Sequence, residues 1–481
     1  MTWPFLVRAP LLQSLALRVA LCSVLLTGPN ACSEQDALRE PDPTARVPGG
    51  KDASSATLDA RTEPPRADGS ADARSSPLID ASSATGAGVS EAGSAGSAAH
   101  DAGLTDTGPT TTVAIDGAAP SAERSTDFAV GTRRIEITSG AGRVLPVQLW
   151  YPAVDGAAAE AEAGHAIEEF EAKGARRDLL AKLVQDARKD CPNLTMHAAI
   201  EATPYAHSAP FPLLVYSHHF NGSRFSMFSI AEALAREGMV VAAPDHVNGS
   251  LFERKDALSD AASQFNREFL QTRAADLRRL LDVLLDTQAE LVPAGLRGRL
   301  DAQRVGALGH SLGGITVGVF SVSDTRVRAS LYLAIVPSPA LLRLPFGLPD
   351  PKQFRTPALY LTAQEDATVD GQGGPAELAT NYEGQPLPAF WIDVRDAGHF
   401  SFADDCGLVP EFDEGCGTGR RVTNGESFTY LPAKRAQEIA ARYSTAFFAV
   451  QFLGAPATRL TEPSPPELIT VKQRGASAPG P

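Results

Sequence analysis

The sequence predicts an α/β fold with a mostly parallel, eight-stranded sheet flanked by helices. Short apolar runs typical of buried strands recur along the chain, among them "FPLLVYS", "RVGALGH" and "TPALYLTA". Helix-period segments separate the later runs, and strands that alternate with helices form parallel sheets covered on both faces. Two early runs, "RRIEITS" and "LPVQLWYP", have no helix between them, which favours an antiparallel opening of the sheet.

The later elements follow one another in a regular order. The strand "FPLLVYS" precedes the helical "MFSIAEALAREG", and "MVVAAPD" precedes the helical "TRAADLRRLLDVLLDTQAE". "RVGALGH" is followed by the helical "GGITVGVFSV", and three further strands complete the sheet. A last amphipathic helix begins with Pro432 and ends at Gly454, residue types that typically start and stop helices.

Residues 156–190 interrupt this alternation. The segment is helix-rich and lies before the strand "FPLLVYS". Two interpretations are open: a lid over an active site, or a helical insertion on the surface.

Composition separates one folded domain from the rest of the 481-residue chain. Residues 33–127 contain no Phe, Trp or Tyr and consist largely of small and polar residues, so they cannot bury enough apolar surface to offset the entropy of ordering. We predict a flexible linker over 33–127, one α/β domain over 128–455 and a disordered tail over 456–481. The net charge of -14, with no dense basic run, does not favour nucleic-acid binding.

The first 32 residues have the features of a secretory signal peptide. Arg8 and Arg18 flank or interrupt an apolar run, Val19–Thr27 is strongly apolar, and small residues precede Cys32. Cys32 resembles the lipidated cysteine of a bacterial lipoprotein, although Pro29 stands where an apolar residue is usual. The possibilities are a lipoprotein of the periplasm, outer membrane or cell surface, a secreted protein, and an uncleaved membrane anchor.

The predicted domain contains Cys191, Cys406 and Cys416. Export permits disulfides, and a Cys406–Cys416 pair would close a short loop. A Cys191–Cys406 pair is the alternative, and three reduced thiols are a third possibility.

The stretch "RVGALGHSLGG" carries the strongest chemical signal. Its strand runs into Gly309, and Ser311 follows in the pattern G-x-S-x-G before a helical segment. In this pattern the serine occupies a strained strand-to-helix turn that exposes its hydroxyl. The turn also places the amide of Leu312 at a helix N-terminus, where it can face an oxyanion. Ser311 is therefore the predicted nucleophile.

Chain order selects the partners of this serine. In this type of site the acid and then the histidine follow the nucleophile, and His399 is the only histidine after Ser311. We therefore predict His399 as the general base. The acid should follow the apolar strand "TPALYLTA", where Asp366 is the first choice, Glu365 the second and Asp370 the third. Its task is to hold the imidazole tautomer and to stabilise the imidazolium.

Two adjacent histidines, His218 and His219, suggest a metal site at first sight. Adjacent side chains on an extended chain point to opposite sides, and no further Glu or His lies at a metal-ligand spacing nearby. We therefore expect no metal and no other cofactor. His246, in "APDHVNG", is interpreted as a strand-end residue beside the cleft.

These motifs, in this order, resemble the α/β-hydrolase superfamily over residues 130–450. The stretches that carry the resemblance are "LPVQLWYP", "FPLLVYSHHFNGSR", "GHSLGG" and "AGHFSF". Within the superfamily the chain resembles the bacterial dienelactone-hydrolase-like proteins related to platelet-activating-factor acetylhydrolase, and next the polyester hydrolases and cutinase-like lipases. The resemblance implies a serine esterase whose oxyanion donors are the amides of Phe220 and Leu312.

Two positions depart from the acetylhydrolase pattern. That family takes its acid from the end of the strand after the nucleophile helix, where this chain has Ala334, so the acid must come from the later strand that precedes Asp366. The family also has a glycine where this chain has His219. If that glycine has φ > 0, His219 must tolerate the same conformation at a cost of about 1 kcal/mol, or the loop bends differently.

The sequence thus predicts a serine-dependent carboxylic ester hydrolase that works through an acyl-enzyme. The expected partner is a small-molecule or lipid ester, with a membrane tether if Cys32 is lipidated, and the protein is expected to be a monomer. The alternatives are a polyester hydrolase or lipase of the cutinase-like type, and an inactive hydrolase-fold lipoprotein with a binding role.

Overall fold

A mixed ten-stranded sheet forms the centre of the computed structural model, which describes residues 127–253 and 266–475. In chain order its strands are β1 (Ala129–Thr138), β2 (Val144–Ala153), β3 (Ala199–Ile200), β4 (Phe211–Ser217), β5 (Val240–Pro244), β6 (Leu300–His310), β7 (Val327–Leu333), β8 (Ala358–Ala363), β9 (Ala389–Val394) and β10 (Ile469–Arg474). Two short separate ribbons pair His165–Ala166 with Thr195–Met196, and Thr418–Arg420 with Ser427–Thr429. The predicted leader with Cys32, the predicted linker as far as residue 126, and residues 476–481 lie outside the described residues, so those interpretations stay predictions.

The strand order confirms the predicted α/β class. Across the sheet the order is β10-β9-β8-β7-β6-β4-β5-β2-β1-β3. Strands β4 to β9 run parallel to their neighbours among them, whereas β2 is antiparallel to both β1 and β5, as the antiparallel opening required. Because parallel strands bring their carboxyl ends to one edge, the loops at that edge form the natural ligand site of such a sheet.

The sheet has ten strands instead of the predicted eight, because one strand is added at each edge. β3 lies parallel to β1, and β10 lies antiparallel to β9. The prediction of a disordered tail from residue 456 is therefore wrong as far as residue 475. β10 buries Ile469, and the ammonium of Lys472 lies 3.8 Å from the centre of the Trp391 ring. These contacts and the ladder with β9 outweigh the polar composition of the segment.

Helices cover both faces of the sheet. In chain order they are α1 (Ala158–Ala163), α2 (Ala175–Asp186), α3 (Phe228–Arg236), α4 (Arg267–Leu285), α5 (Leu312–Ser323), α6 (Ala340–Phe346), α7 (Ala367–Gly371), α8 (Gly374–Gly384), α9 (Ala433–Phe452) and α10 (Thr458–Thr461). On β4, Leu214 and Tyr216 pack with α3 and α9, whereas Leu213 and Val215 pack on the opposite face with α4 and α5. Within 127–253 and 266–475, no helix combines the length and apolar character that crossing a membrane requires.

The predicted insertion at 156–190 contains α1 and α2, and a disulfide joins the residue directly after it to the loop after His399. This bond links Cys191 to Cys416, whose Cα atoms are 5.8 Å apart. Neither pairing predicted from the sequence is present, and Cys406 is a buried free thiol whose pKa is raised by burial. The bonded cysteines are 225 positions apart, and spacing within one loop carries no information about a distant segment that folds onto it.

Replacing Cys191 with alanine should lower the free energy of unfolding by about 2–5 kcal/mol, because the disulfide closes a long loop and restricts the unfolded chain. Urea denaturation followed by intrinsic fluorescence measures the change, and reduced wild type should approach the variant. Cys406→Ala is the matched control, because Cys406 forms no disulfide in the described part of the chain and should lose less. Equal stability of Cys191→Ala and wild type would mean that the crosslink contributes nothing.

Candidate active site

Ser311 lies at the turn between β6 and α5. Its backbone has φ +53° and ψ -124°, a conformation that costs a non-glycine residue about 1–3 kcal/mol and persists where the surrounding structure enforces it. Glycine is needed two positions later, because a Cβ on Gly313 would collide with the carbonyl oxygen of Ser217 at the end of β4. The turn leaves the Ser311 side chain partly exposed at the carboxyl edge of the sheet and at the N-terminus of α5.

His399 and Asp366 meet Ser311 in one hydrogen-bonded chain. The Nε2 of His399 is 2.8 Å from the Oγ of Ser311, and its Nδ1 is 3.0 Å from each carboxylate oxygen of Asp366. When Nδ1–H donates to the carboxylate, Nε2 is an acceptor and the serine hydroxyl donates to it. The structure thus brings together the three residues that chain order selected, with the histidine and the aspartate both buried.

Of the three candidate acids, Asp366 is the one that contacts the histidine. It also caps α7 by accepting the amide of Val369 at 2.9 Å, which holds the carboxylate in place. The carboxylate of Glu365 does not contact His399 and accepts a hydrogen bond from Nη1 of Arg421 at 2.6 Å. Asp370 is exposed on α7. The choice between neighbouring acids is therefore made by the geometry of the turn after β8.

Charges around His399 favour its protonated form. Burial opposes a charged imidazole, but the carboxylate of Asp366 outweighs burial and raises the pKa of His399 above its ordinary value of 6.5. Glu414 brings a second carboxylate to this region: it accepts the amide of Ala367 at 2.8 Å, and burial together with the charge of Asp366 raises its pKa to about 7. An imidazolium that forms at His399 is therefore stabilised mainly by Asp366, with a smaller contribution from Glu414.

Two residues of this region could not be foreseen from sequence motifs. Glu414 follows the histidine in a long loop, and His310 is the variable residue before the nucleophile. The Nε2 of His310 donates to the carbonyl oxygen of His399 at 2.8 Å and so links the serine turn to the histidine loop. Burial lowers the pKa of His310 well below its ordinary value, which keeps it a neutral donor.

The two predicted oxyanion donors lie on neighbouring segments. Phe220 belongs to the loop after β4, and Leu312 is the first residue of α5. The close packing of Gly313 on Ser217 brings that loop against the first turn of α5. In the described part of the chain neither amide donates a hydrogen bond, which leaves both free for an oxygen bound beside Ser311.

His219 fits this loop without backbone strain. The left-handed conformation in the loop belongs to Asn221 (φ +57°), and His219 is not among the described residues with positive φ. Its Nε2 is 3.1 Å from Oδ2 of Asp405, and its ring packs against those of His310 and Phe400. The left-handed residue of the loop therefore lies two positions after His219, and His219 needs no positive φ.

The paired histidines have separate partners. The Nε2 of His218 accepts the amide of His246 at 3.0 Å, whereas the Nε2 of His219 faces Asp405. Among residues 127–253 and 266–475, the one group of potential metal ligands within reach of each other is Asp190, Cys191 and Cys416. Two of its three donor atoms are joined in the disulfide, so no thiolate is available there.

Comparisons with known proteins bear on fold and family. Residues 123–280 match the sequence family described as platelet-activating factor acetylhydrolase, isoform II. The platelet-activating factor acetylhydrolase of Canis lupus familiaris is 26% identical over 161 residues, which are 27% of this chain and 36% of that protein. The ferulic acid esterase from Streptomyces cinnamoneus is similar in structure, with a TM-score of 0.52, 25% identity and coverage of 74% of this chain and 98% of that one. The structural similarity thus spans 74% of this chain, whereas the sequence match to the curated relative spans 36% of that protein's length.

Proposed function

Because the chain is an α/β-hydrolase related over residues 123–280 to the platelet-activating factor acetylhydrolase isoform II family, we propose that it is a serine-dependent carboxylic ester hydrolase. One observation carries the proposal: the hydrogen-bonded chain from Ser311 through His399 to Asp366, at 2.8 and 3.0 Å. A serine at φ +53° whose hydroxyl meets a histidine, at the edge where such sheets bind ligands, has no evident structural purpose.

Acylation begins when the Oγ of Ser311 attacks the ester carbonyl carbon and the Nε2 of His399 accepts the serine proton. The carbonyl electrons move to oxygen, and the amides of Phe220 and Leu312 bind the resulting oxyanion. Asp366 stabilises the imidazolium. When the tetrahedral intermediate collapses, the alcohol leaves with the proton of His399, and Ser311 stays acylated.

Deacylation repeats the same steps with water as the nucleophile. His399 takes a proton from water as the oxygen attacks the acyl carbon, and the two amides again bind the oxyanion. Collapse of this intermediate breaks the bond to Ser311 Oγ, which recovers its proton from His399, and the carboxylic acid leaves. Every group is then in its starting state.

Aromatic side chains beside His399 and at the predicted oxyanion donor Phe220 indicate the kind of ester. The ring of Phe400 is 4.8 Å from that of His399, and the ring of Phe220 packs edge-on against Phe269 at 6.3 Å. Aromatic side chains at these positions favour an apolar or aromatic group beside the ester bond over a charged one. The two similar proteins are named for platelet-activating factor and ferulic acid, and esters of both kinds belong in a substrate panel.

Labelling with a fluorophosphonate tests the proposal. We expect the probe on the peptide that contains Ser311, with hydrolysis of p-nitrophenyl esters lost in proportion to labelling. Ser311→Ala should not be labelled. The matched control is Ser321→Ala on α5, the helix that follows Ser311; the Ser321 hydroxyl donates to the carbonyl oxygen of Gly318 at 3.3 Å, and this variant should behave as wild type.

An inactive hydrolase fold with a binding role predicts the opposite result. Wild type would then stay unlabelled, or it would be labelled to the same extent as Ser311→Ala. For a labelled enzyme, p-nitrophenyl esters from acetyl to long-chain, methyl ferulate and a polyester film would rank the substrate classes, including that of the cutinase-like alternative.

A further inference from the structure

A second chain of serine, histidine and aspartate lies behind the loop that carries Phe220. The Nε2 of His246 is 3.0 Å from the Oγ of Ser217, and its Nδ1 is 3.1 Å from Oδ2 of Asp276. All three residues have 0% exposure. Ser217 ends β4, His246 follows β5 and Asp276 lies on α4, so three separate elements meet in this chain.

The surroundings of Ser217 exclude a nucleophilic role. Its Oγ also accepts a hydrogen bond from Nη2 of Arg273 at 3.1 Å, and its side chain has no access to solvent. An ester could reach this hydroxyl only by displacing a buried guanidinium. The same connectivity as in the Ser311 site must therefore serve another purpose.

The hydrogen bonds that link Arg273, Ser217, His246 and Asp276 all run in one donor direction. Arg273 donates to Ser217, the hydroxyl of Ser217 donates to Nε2 of His246, and Nδ1–H of His246 donates to Asp276. Burial and the charge of Arg273 lower the pKa of His246 to about 4, which agrees with a neutral ring between a cation and an anion. Asp276 is held in turn by Nη2 of Arg143 at 2.6 Å.

This network acts on the backbone that leads to Phe220. Arg273 also donates to the carbonyl oxygen of His218, and the amide of His246 donates to Nε2 of His218 at 3.0 Å. The Nδ1 of His218 donates to the carbonyl oxygen of His219 at 2.7 Å. The residues immediately before Phe220 are thus each held by buried polar contacts.

We infer that Ser217, His246 and Asp276, together with Arg273, are positioning residues that hold the Phe220 amide in place for oxyanion binding. The inference rests on the proposed ester hydrolysis. An oxyanion donor acts at about 2.7–3.1 Å from the oxygen, and a misplacement of about 1 Å costs on the order of a hundredfold in rate. A displaced loop therefore lowers the rate of the chemical steps with little effect on substrate binding.

Ser217→Ala tests the inference because it interrupts the network at the end of β4. We expect kcat to fall by about 10- to 100-fold with KM within about twofold of wild type. The inhibition constant of a trifluoromethyl ketone, whose hemiketal oxyanion occupies the same place as the reaction oxyanion, should rise in parallel with the loss in kcat/KM. That constant reports on folded, active molecules alone, so a lower folding yield does not imitate the result.

Ser330→Ala is the matched control. Ser330 is equally buried on β7, and its hydroxyl pairs with that of Thr356 at 2.9 Å, so the variant loses a comparable hydrogen bond. It should keep the kcat and the inhibition constant of wild type. Asp276→Asn, which keeps the side-chain shape and removes the charge, is a second variant that should repeat the effect if Ser217→Ala does not fold.

Two negative outcomes are distinct. If Ser217→Ala has the kcat per active site and the inhibition constant of wild type, the inference is overturned and the proposed function stays intact. The same holds if the variant contains fewer titratable active sites but each of them is as active as in wild type. A wild type without Ser311-dependent ester hydrolysis refutes the proposed function, and the inference with it.

Discussion

Asp366→Asn should reduce the rate of ester hydrolysis about 10⁴-fold, because an amide cannot hold the tautomer of His399 that the reaction needs. The asparagine amide can donate to Nδ1, which leaves the imidazole proton on Nε2. An Nε2–H cannot accept the proton of Ser311, although the distances within the site hardly change. Steady-state kcat with a p-nitrophenyl ester measures the loss.

Glu365→Gln is the matched control for this variant. Glu365 is the neighbouring acid, but its carboxylate accepts Arg421 at 2.6 Å and the amide of Val422 at 2.9 Å and does not contact His399. Its substitution should lower stability and leave kcat close to that of wild type. If Glu365→Gln proved the slower of the two, Asp366 would not be the acid of the site.

The pH–rate profile of Asp366→Asn tests a second role of Asp366, its effect on the pKa of His399. His399 accepts a proton only when neutral, so kcat/KM of wild type should fall as pH drops through its pKa, which Asp366 raises above 6.5. In Asp366→Asn the larger of the two raising charges is gone and burial opposes the smaller one of Glu414, so the pKa of His399 falls and the residual activity should persist to lower pH. An acid limb that stays in place would show that Asp366 does not control the basicity of His399.

Features that depend on local sequence could be predicted. Consecutive residues determine the strand, turn and helix around Ser311, so this motif can be recognised from the sequence. The chain order of such sites then indicates His399 without any knowledge of packing. Ala334 shows why the sequence could also reduce the number of candidates for the acid. It follows β7 with φ +49°, its amide donates to Leu361 at 2.9 Å, and it has no carboxylate, so the next strand is the one that delivers Asp366.

Contacts between distant segments could not be predicted. The Cys191–Cys416 disulfide and the addition of β10 to the sheet each depend on where one segment folds onto another, which the composition of neither segment encodes. Glu414 is of the same kind, because it approaches Asp366 from a loop that follows the histidine. Tertiary placement decides these contacts, and a single sequence gives it only where a motif or a chain-order rule applies.

Arg224→Met should lower the free energy of unfolding by about 3–5 kcal/mol, a large share of the stability of an ordinary domain. Arg224 is fully buried, and its guanidinium donates to the carboxylates of Glu171 and Asp245. Those carboxylates are 1% and 2% exposed, and without Arg224 the partly exposed Arg176 is their remaining cation among the described residues. Removing one partner of a buried ion pair costs more free energy of unfolding than the intact pair contributes, because the desolvation penalty of the remaining charge is no longer offset.

The same experiment tests whether this ion cluster of Glu171, Arg176, Arg224 and Asp245 anchors the insertion. Glu171 and Arg176 belong to the insertion at 156–190, whereas Arg224 follows Phe220 in the loop after β4, so the cluster joins the insertion to the segment that carries a predicted oxyanion donor. Arg133→Met is the matched control, since it removes an exposed pair with Glu201 at 3.0 Å and should cost less than about 1 kcal/mol. If urea denaturation gave Arg224→Met no larger a loss than Arg133→Met, the cluster would not anchor the insertion, and the disulfide would be left as its main attachment.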